Sequence, residues 1–265
     1  MKRSRIVAFL SGLLIVLVLT LSFKGFAPAP ANAQASTILV SAAASLQDAI
    51  EVIDPIFERA NRGTTVNYNF GSSGALQQQI EQGAPADVFI SAGVPQMDAL
   101  AQAGLIDTDT RRNLLTNRLV LIVPKDSTLN LTGFRQLTGD RVRRISVGEF
   151  RSVPAGQYAE QVLTNLRILE QVRPKLVFAN NVRAVLAAVE SGNVDAGIVY
   201  RTDALISDQV TQVATAPNNL HNPIVYPIAV VESSRNPQAA RTYEQFLSSR
   251  QAQAVFERFG FGIAN

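Results

Sequence analysis

The sequence predicts an α/β protein in two lobes, each a mostly parallel sheet flanked by helices, with a cleft between the lobes. Three observations lead there. Short β-rich runs alternate with single amphipathic helices through most of the chain after residue 36, the order that right-handed βαβ crossovers require. The pattern breaks after Pro124 and returns near Ile224, so one lobe draws on both ends of the chain (36–118 and 225–265) and the other on its middle (119–224). Four strand-to-helix turns, at Ala42–Ser45, Gly71–Gly74, Val153–Gly156 and Asn180–Val182, carry small, hydroxyl or amide residues. In open α/β sheets such turns lie beyond the carboxyl ends of the strands, where ligands sit.

In order, Thr37–Ser41 is a β-rich run, followed by a helix with Leu46, Ala49, Ile50, Ile53 and Phe57 at helical spacing. Ser45 and Asp48 have the S-x-x-D form of a capping box. Val66–Phe70 is the next strand. Gly71-Ser72-Ser73-Gly74 then leads into a helix through Leu76 and Ile80 that Gly83 stops. Asp87–Ser91 is a short buried strand, and Met97, Leu100 and Ala101 mark a helix closed by Gly104. Arg118–Val123 is a strand ended by Pro124. The middle repeats the logic: strands at Arg144–Val147, Lys175–Phe178 and Asp195–Tyr200, with helices through Tyr158 to Leu169, through Val182 to Val189, and at Thr202–Ser207. Val210–Ala214 is a further short strand. Ile224–Val231 is a long strand whose Pro227 implies an edge or a bend. Helices near Pro237–Leu247 and Ser249–Phe259 end the chain.

Residues 1–33 form an export signal: Lys2, Arg3 and Arg5, an apolar run from Ile6 to Leu21, and Ala31-Asn32-Ala33 as an A-x-A cleavage site. The competing reading is an uncleaved anchor, since the run approaches spanning length. The formal charge is +3 with 24 basic and 21 acidic residues. Cleavage after Ala33 removes four of the basic residues and no acidic one, so the mature chain is nearly neutral. Nucleic-acid binding is therefore not implied. The absence of cysteine excludes a lipid-anchored form of export, a disulfide framework and a thiolate metal site.

The chemistry lies in the turns. First-turn N–H groups of a helix have no partner inside it, so a turn that delivers them beside hydroxyls is an anion cradle. Four such turns, two per lobe, would line one cleft, with hydroxyls from Ser45, Ser73 and Tyr200. Plainer roles compete for each residue: Ser45 as a helix cap, Tyr200 as a packed rim tyrosine, Arg151 and Arg183 as solvated or ion-paired charges. His221 reads as a surface residue of an Asn/Pro loop, and Asp87 as a turn or interlobe contact.

The segments SAAASLQDAI, NFGSSGAL, GAPADVFISA, VGEFRSVPAGQYAEQVL, NNVRAVLAAVESG and GIVYRTDA resemble, in order and over about Thr37 to Gly262, those of the periplasmic molybdate-binding proteins. These are the solute receptors of molybdate ABC importers, with a type II periplasmic-binding-protein fold. The resemblance implies a ligand set of Ser45 from the AAAS turn, Ser73 from the Gly/Ser turn, Ala155 and Val182 through backbone N–H groups, and the Tyr200 hydroxyl. It departs from the family at Gly74, where many members carry a third serine, so Ser72 stays an alternative to Ser73. It further implies molybdate or tungstate as ligand, molybdenum held only as the oxyanion with no protein–metal bond, no resident cofactor, a monomer, and a membrane permease as partner.

The residue chemistry agrees. A fully deprotonated tetrahedral dianion only accepts hydrogen bonds, and hydroxyls and backbone N–H groups donate them. Sulfate is the alternative ligand, since it too is a pure acceptor and only size separates it from molybdate. A secreted serine hydrolase would need G-x-S-x-G and a histidine base, but the Gly/Ser turn lacks that spacing and His221 is the sole histidine. An iron receptor of the same fold would show a tyrosine-rich cleft; here there are five tyrosines and no adjacent pair.

Overall fold

The computed structural model describes residues 36–264. The export signal expected over residues 1–33 lies outside the described residues. Among the described residues no helix is long and apolar enough to cross a membrane.

The chain forms two sheets. The first has the order β11-β4-β10-β3-β1-β2, from β1 (Ser36–Ala43), β2 (Thr64–Gly71), β3 (Val88–Ile90), β4 (Ile106–Thr116), β10 (Val225–Val231) and β11 (Gly262–Ile263). The second has the order β7-β6-β8-β5-β9, from β5 (Leu119–Pro124), β6 (Ile145–Gly148), β7 (Leu176–Ala179), β8 (Ala196–Tyr200) and β9 (Val210–Thr215). Both are mixed rather than mostly parallel. Each has a parallel trio, β2-β1-β3 or β7-β6-β8, to which antiparallel strands are added.

Helices follow the carboxyl ends of these trios. In the first half they are α1 (Gln47–Ala60), α2 (Ser73–Glu81) and α3 (Val94–Gln102). In the second they are α4 (Pro154–Asn165), which a short α5 (Leu169–Val172) follows, then α6 (Val182–Glu190) and α7 (Arg201–Leu205). The chain closes with α8 (Pro237–Leu247) and α9 (Arg250–Arg258). The apolar spacing read from the sequence is the face that packs: Ala49, Ile50, Ile53 and Phe57 of α1, and Val182, Val185, Leu186 and Val189 of α6, are buried. One face of the first sheet is covered by Leu76, Ile80, Met97 and Leu100 from α2 and α3, against Phe89, Ala229 and Val231.

Three local expectations are corrected. Strand β4 went unrecognised because IDTDTRRNLLT has no alternation; its pairing with β10 carries two register shifts, so its inward residues are not spaced by two. Strand β10 is interior rather than an edge. Pro227 sits at one of those shifts while its carbonyl accepts the Ser91 N–H at 3.0 Å. The Ser45–Asp48 capping box does not form. A 3-10 turn, Ala44–Leu46, precedes α1, which has no side-chain cap.

Candidate functional site

Ser45, Ser73, Ala155, Val182 and Tyr200 line one cavity, joined by Ser72 and Ala92. It lies where the carboxyl ends of the two parallel trios face each other. The cavity leaves about 10 Å³ for the centre of a water-sized sphere.

Each half delivers donors. Ser72 is the N-cap of α2, its Oγ accepting the Ala75 N–H at 3.4 Å. Ser73 follows at the first helical position, and its Oγ accepts the Ala92 N–H at 2.9 Å. A backbone N–H can only donate, so the Ser73 hydroxyl proton is left for the cavity. Ser72 and Ser73 each accept one backbone N–H and keep a hydroxyl proton, and both line the cavity. In the second half Asn181 caps α6 by accepting the Ala184 N–H at 3.0 Å, leaving the Val182 N–H in the unpartnered first turn. Helix α4 starts with Pro154, whose fixed φ suits the first position, and Ala155 is the first residue of that helix with an N–H. Tyr200 ends β8 fully buried, its hydroxyl donating to the Ala92 carbonyl at a long 3.4 Å. Burial pushes its phenol well above the ordinary value, so it remains a protonated donor.

Among the described residues no Lys, Arg, Asp or Glu lines the cavity. Arg183, beside Val182 in sequence, is spent elsewhere: it pairs with Asp48 of α1 and with Asp203 at 2.8 Å, and donates to the Ser45 carbonyl at 3.3 Å, while Arg201, beside Tyr200, is exposed. Asp203 is fully buried, and its other oxygen accepts the Tyr200 N–H at 3.1 Å. Burial raises its pKa to about 6 against the downward pull of Arg183. The field at the cavity therefore comes from oriented hydroxyls and helix starts rather than a net positive side chain.

The two halves touch around the cavity. The Gly74 N–H donates to the Ser152 carbonyl at 3.0 Å, and Gln96 Nε2 donates to Gln157 Oε1 at 3.2 Å. A Cβ on Gly74 would lie 2.8 Å from Ser152 Cα and 2.9 Å from Ser152 C, with the carbonyl oxygen nearer still. The backbone can come this close only because residue 74 is glycine.

The remaining candidates have structural roles. Arg151 is exposed and pairs with Glu149. Asp87 accepts the Leu39 N–H at 2.7 Å and the Ser234 hydroxyl at 2.6 Å, a tie within the first half rather than between halves. His221 is half-buried with its ring against Tyr158. Among the described residues no three His, Cys, Asp or Glu side chains form a metal cluster. Sequence reasoning missed Ala92 and Tyr226. Ala92 had a signal, since Ser91-Ala92-Gly93 is another turn at the end of a parallel strand. Tyr226 had none: it lies inside β10, 181 residues from Ser45, yet its Oη is 2.9 Å from Ser45 Oγ.

Known proteins share this arrangement of chain. The putative ABC transporter substrate-binding lipoprotein YvgL of Bacillus subtilis (strain 168) is 43% identical over 225 residues, 85% of this chain and 86% of its own. The molybdate-binding protein ModA of Escherichia coli (strain K12) is 41% identical over 242 residues, 88% and 91% of the two chains. A solved substrate-binding domain of a putative molybdenum ABC transporter from Clostridium difficile superposes with a TM-score of 0.67 at 44% identity, covering 87% of this chain and all of that one. The profile of the bacterial extracellular solute-binding proteins matches residues 38–262. With the fold, the cavity and the relatives in agreement, the chain belongs to the bacterial extracellular solute-binding protein family.

Proposed function

We propose that this protein is an exported receptor that captures molybdate, and tungstate about as well, and hands it to the permease of an ABC importer. One observation carries the reading: a cavity of single-anion size is ringed by hydroxyl and N–H donors from both halves, with no charged side chain in its lining. Ser45, Ser73 and Tyr200 donate through hydroxyls, and Ala155 and Val182 through backbone N–H groups. Bonds to an ionised oxygen are the strong ones, and helix starts add favourable potential without a paired cation. The relatives' printed roles support the same reading. The oxyanion is cargo, the metal being wrapped in its own oxygens, and the protein does no covalent chemistry on it.

Residues 36–118 with 225–265 form one lobe and 119–224 the other, closing as hinged bodies about the strands near Arg118–Pro124 and Ile224–Val231. The contacts between Gly74 and Ser152 and between Arg183 and Asp48 are those of the closed state. The export signal is cleaved after Ala33, and the mature monomer works in the periplasm. Sulfate, with shorter bonds to its oxygens, leaves some donors out of reach. Hydrogen phosphate brings a proton to a ring of donors. Titration calorimetry of the mature chain tests this. Molybdate and tungstate should bind comparably, sulfate more weakly and phosphate not at all; equal affinity for phosphate, or no molybdate binding, overturns the reading.

A further inference from the structure

We propose that Tyr226 and Asn117 are positioning residues that fix the direction in which the Ser45 hydroxyl points its proton. The proposal rests on Ser45 being a ligand donor. Its basis is a chain of hydrogen bonds whose polarity is set from one end. The Arg118 backbone N–H donates to Asn117 Oδ1 at 2.8 Å. A backbone N–H cannot accept, so this contact assigns the amide oxygen and leaves Asn117 Nδ2 as the donor. Nδ2 then donates to Thr202 Oγ1 at 3.0 Å and to Tyr226 Oη at 3.2 Å. Tyr226 is fully buried, its hydroxyl within hydrogen-bond distance of Asn117 and Ser45 and its ring packed beside Tyr200. Either hydroxyl could donate in the 2.9 Å contact between Tyr226 Oη and Ser45 Oγ; in the proposed relay, with Asn117 already donating to Tyr226, the donation is assigned to Tyr226. Ser45 Oγ is thereby an acceptor from behind, and its own proton is directed at the cavity it lines.

The same device operates on the other serine, where the Ala92 N–H occupies Ser73 Oγ and turns that proton outward. Both hydroxyls are donors before any anion arrives. A free hydroxyl serves a donor or an acceptor by rotating about its C–O bond; these two are set. For a ligand with only acceptor oxygens this removes an orientational cost. For a ligand carrying an O–H it removes two acceptors it could have used. Burial also raises the Tyr226 phenol pKa, which favours its protonated form.

The test is a double-mutant cycle between Tyr226→Phe and Ser45→Ala, read by molybdate calorimetry with phosphate as second titrant. Tyr226→Phe should weaken molybdate roughly five- to fifty-fold, the loss of one charge-assisted bond in part, and should weaken it no further in the Ser45→Ala background. Phosphate, silent with the parent protein, should stay silent or begin to bind in Tyr226→Phe, because Ser45 Oγ can then accept the ligand's proton; a general loosening of the fold would instead lower the melting temperature. Asn117→Ala keeps the phenol and removes only its polarising donor, so it should cost molybdate a smaller factor, absent in Tyr226→Phe. Unchanged affinity in Tyr226→Phe, or losses that add to those of Ser45→Ala, overturns the relay while leaving the site intact. Unchanged affinity in Ser45→Ala removes the ligand role itself, and the relay with it.

Discussion

Gly74→Ala probes closure without touching a ligand donor. The new Cβ would stand 2.8 Å from Ser152 Cα and 2.9 Å from Ser152 C. Ordinary carbon contacts lie at about 3.5–4.0 Å, so the facing backbone has to retreat by roughly 0.6–1 Å. No side chain can swing aside, because the obstacle is main chain on the opposite half. That retreat stretches the Gly74 N–H···O=C Ser152 bond from 3.0 Å past hydrogen-bond length, a loss of about 0.5–1.5 kcal/mol. It also pulls donors of one half off an anion still held by the other, and one lost bond to a charged oxygen is worth about 1.5–3 kcal/mol. Together we expect a loss of about 2–4.5 kcal/mol in binding, or roughly thirty- to two-thousand-fold in Kd. Residue 74 lies in helix α2, where alanine is the better helix former, so the melting temperature of the unliganded protein should stay level or rise. Calorimetry and a thermal melt together decide the matter. Unchanged affinity would show that the halves do not need this approach, and a matching fall in stability would show damage to the fold rather than a wedge.

Other substitutions read other parts of the site. Tyr200→Phe removes a buried donor and should cost about 1.5–3 kcal/mol of molybdate binding, roughly ten- to a hundred-fold; titration showing no change would take Tyr200 out of the site. Asp48→Asn cuts the part-exposed ion pair between α1 and Arg183, and should weaken binding by less than about 1 kcal/mol, an effect that fades in high salt. A large, salt-independent loss would refute that ranking. Asp203 carries a pH signature. Its carboxyl titrates near 6 when folded and near about 4 when unfolded, so between these values the folded protein holds a proton that the unfolded chain releases. This contribution to stability is full below about pH 4 and is lost as pH rises through 6. It amounts to about 3 kcal/mol at most. Denaturant melts across that window should show a smaller fall for Asp203→Asn than for the parent; an identical pH slope would contradict the assignment.

Much of this was legible in the sequence because the site is built from backbone at helix starts, and helix starts leave local marks. Gly71-Ser72-Ser73-Gly74 and Asn180-Asn181-Val182 announce both the turn and the donors in a few consecutive residues. What stayed hidden was non-local. The Ser45 environment depends on Tyr226, brought beside it by sheet pairing rather than by any spacing. The same contact explains why the S-x-x-D pattern misled: the Ser45 hydroxyl is engaged by Tyr226 and the Asp48 carboxylate by Arg183, so neither caps α1. Strand β4 was invisible because its bulged pairing erases the period of two, and of the edge or bend read from Pro227 the edge is excluded, since β10 lies inside the sheet and a register shift accommodates the proline. The Gly74–Ser152 approach likewise joins two turns 78 residues apart, and only the assembled halves reveal why glycine stands there.

The central claim is that neutral donors from both halves converge on one deprotonated tetrahedral anion. A crystal structure of the mature protein grown with molybdate, phased on the molybdenum anomalous signal, tests it most directly. The account predicts a single strong peak in the cavity, with its oxygens within hydrogen-bond reach of the hydroxyls of Ser45, Ser73 and Tyr200 and the backbone nitrogens of Ala155 and Val182. A peak elsewhere, or oxygens held by a lysine or arginine side chain, would contradict it.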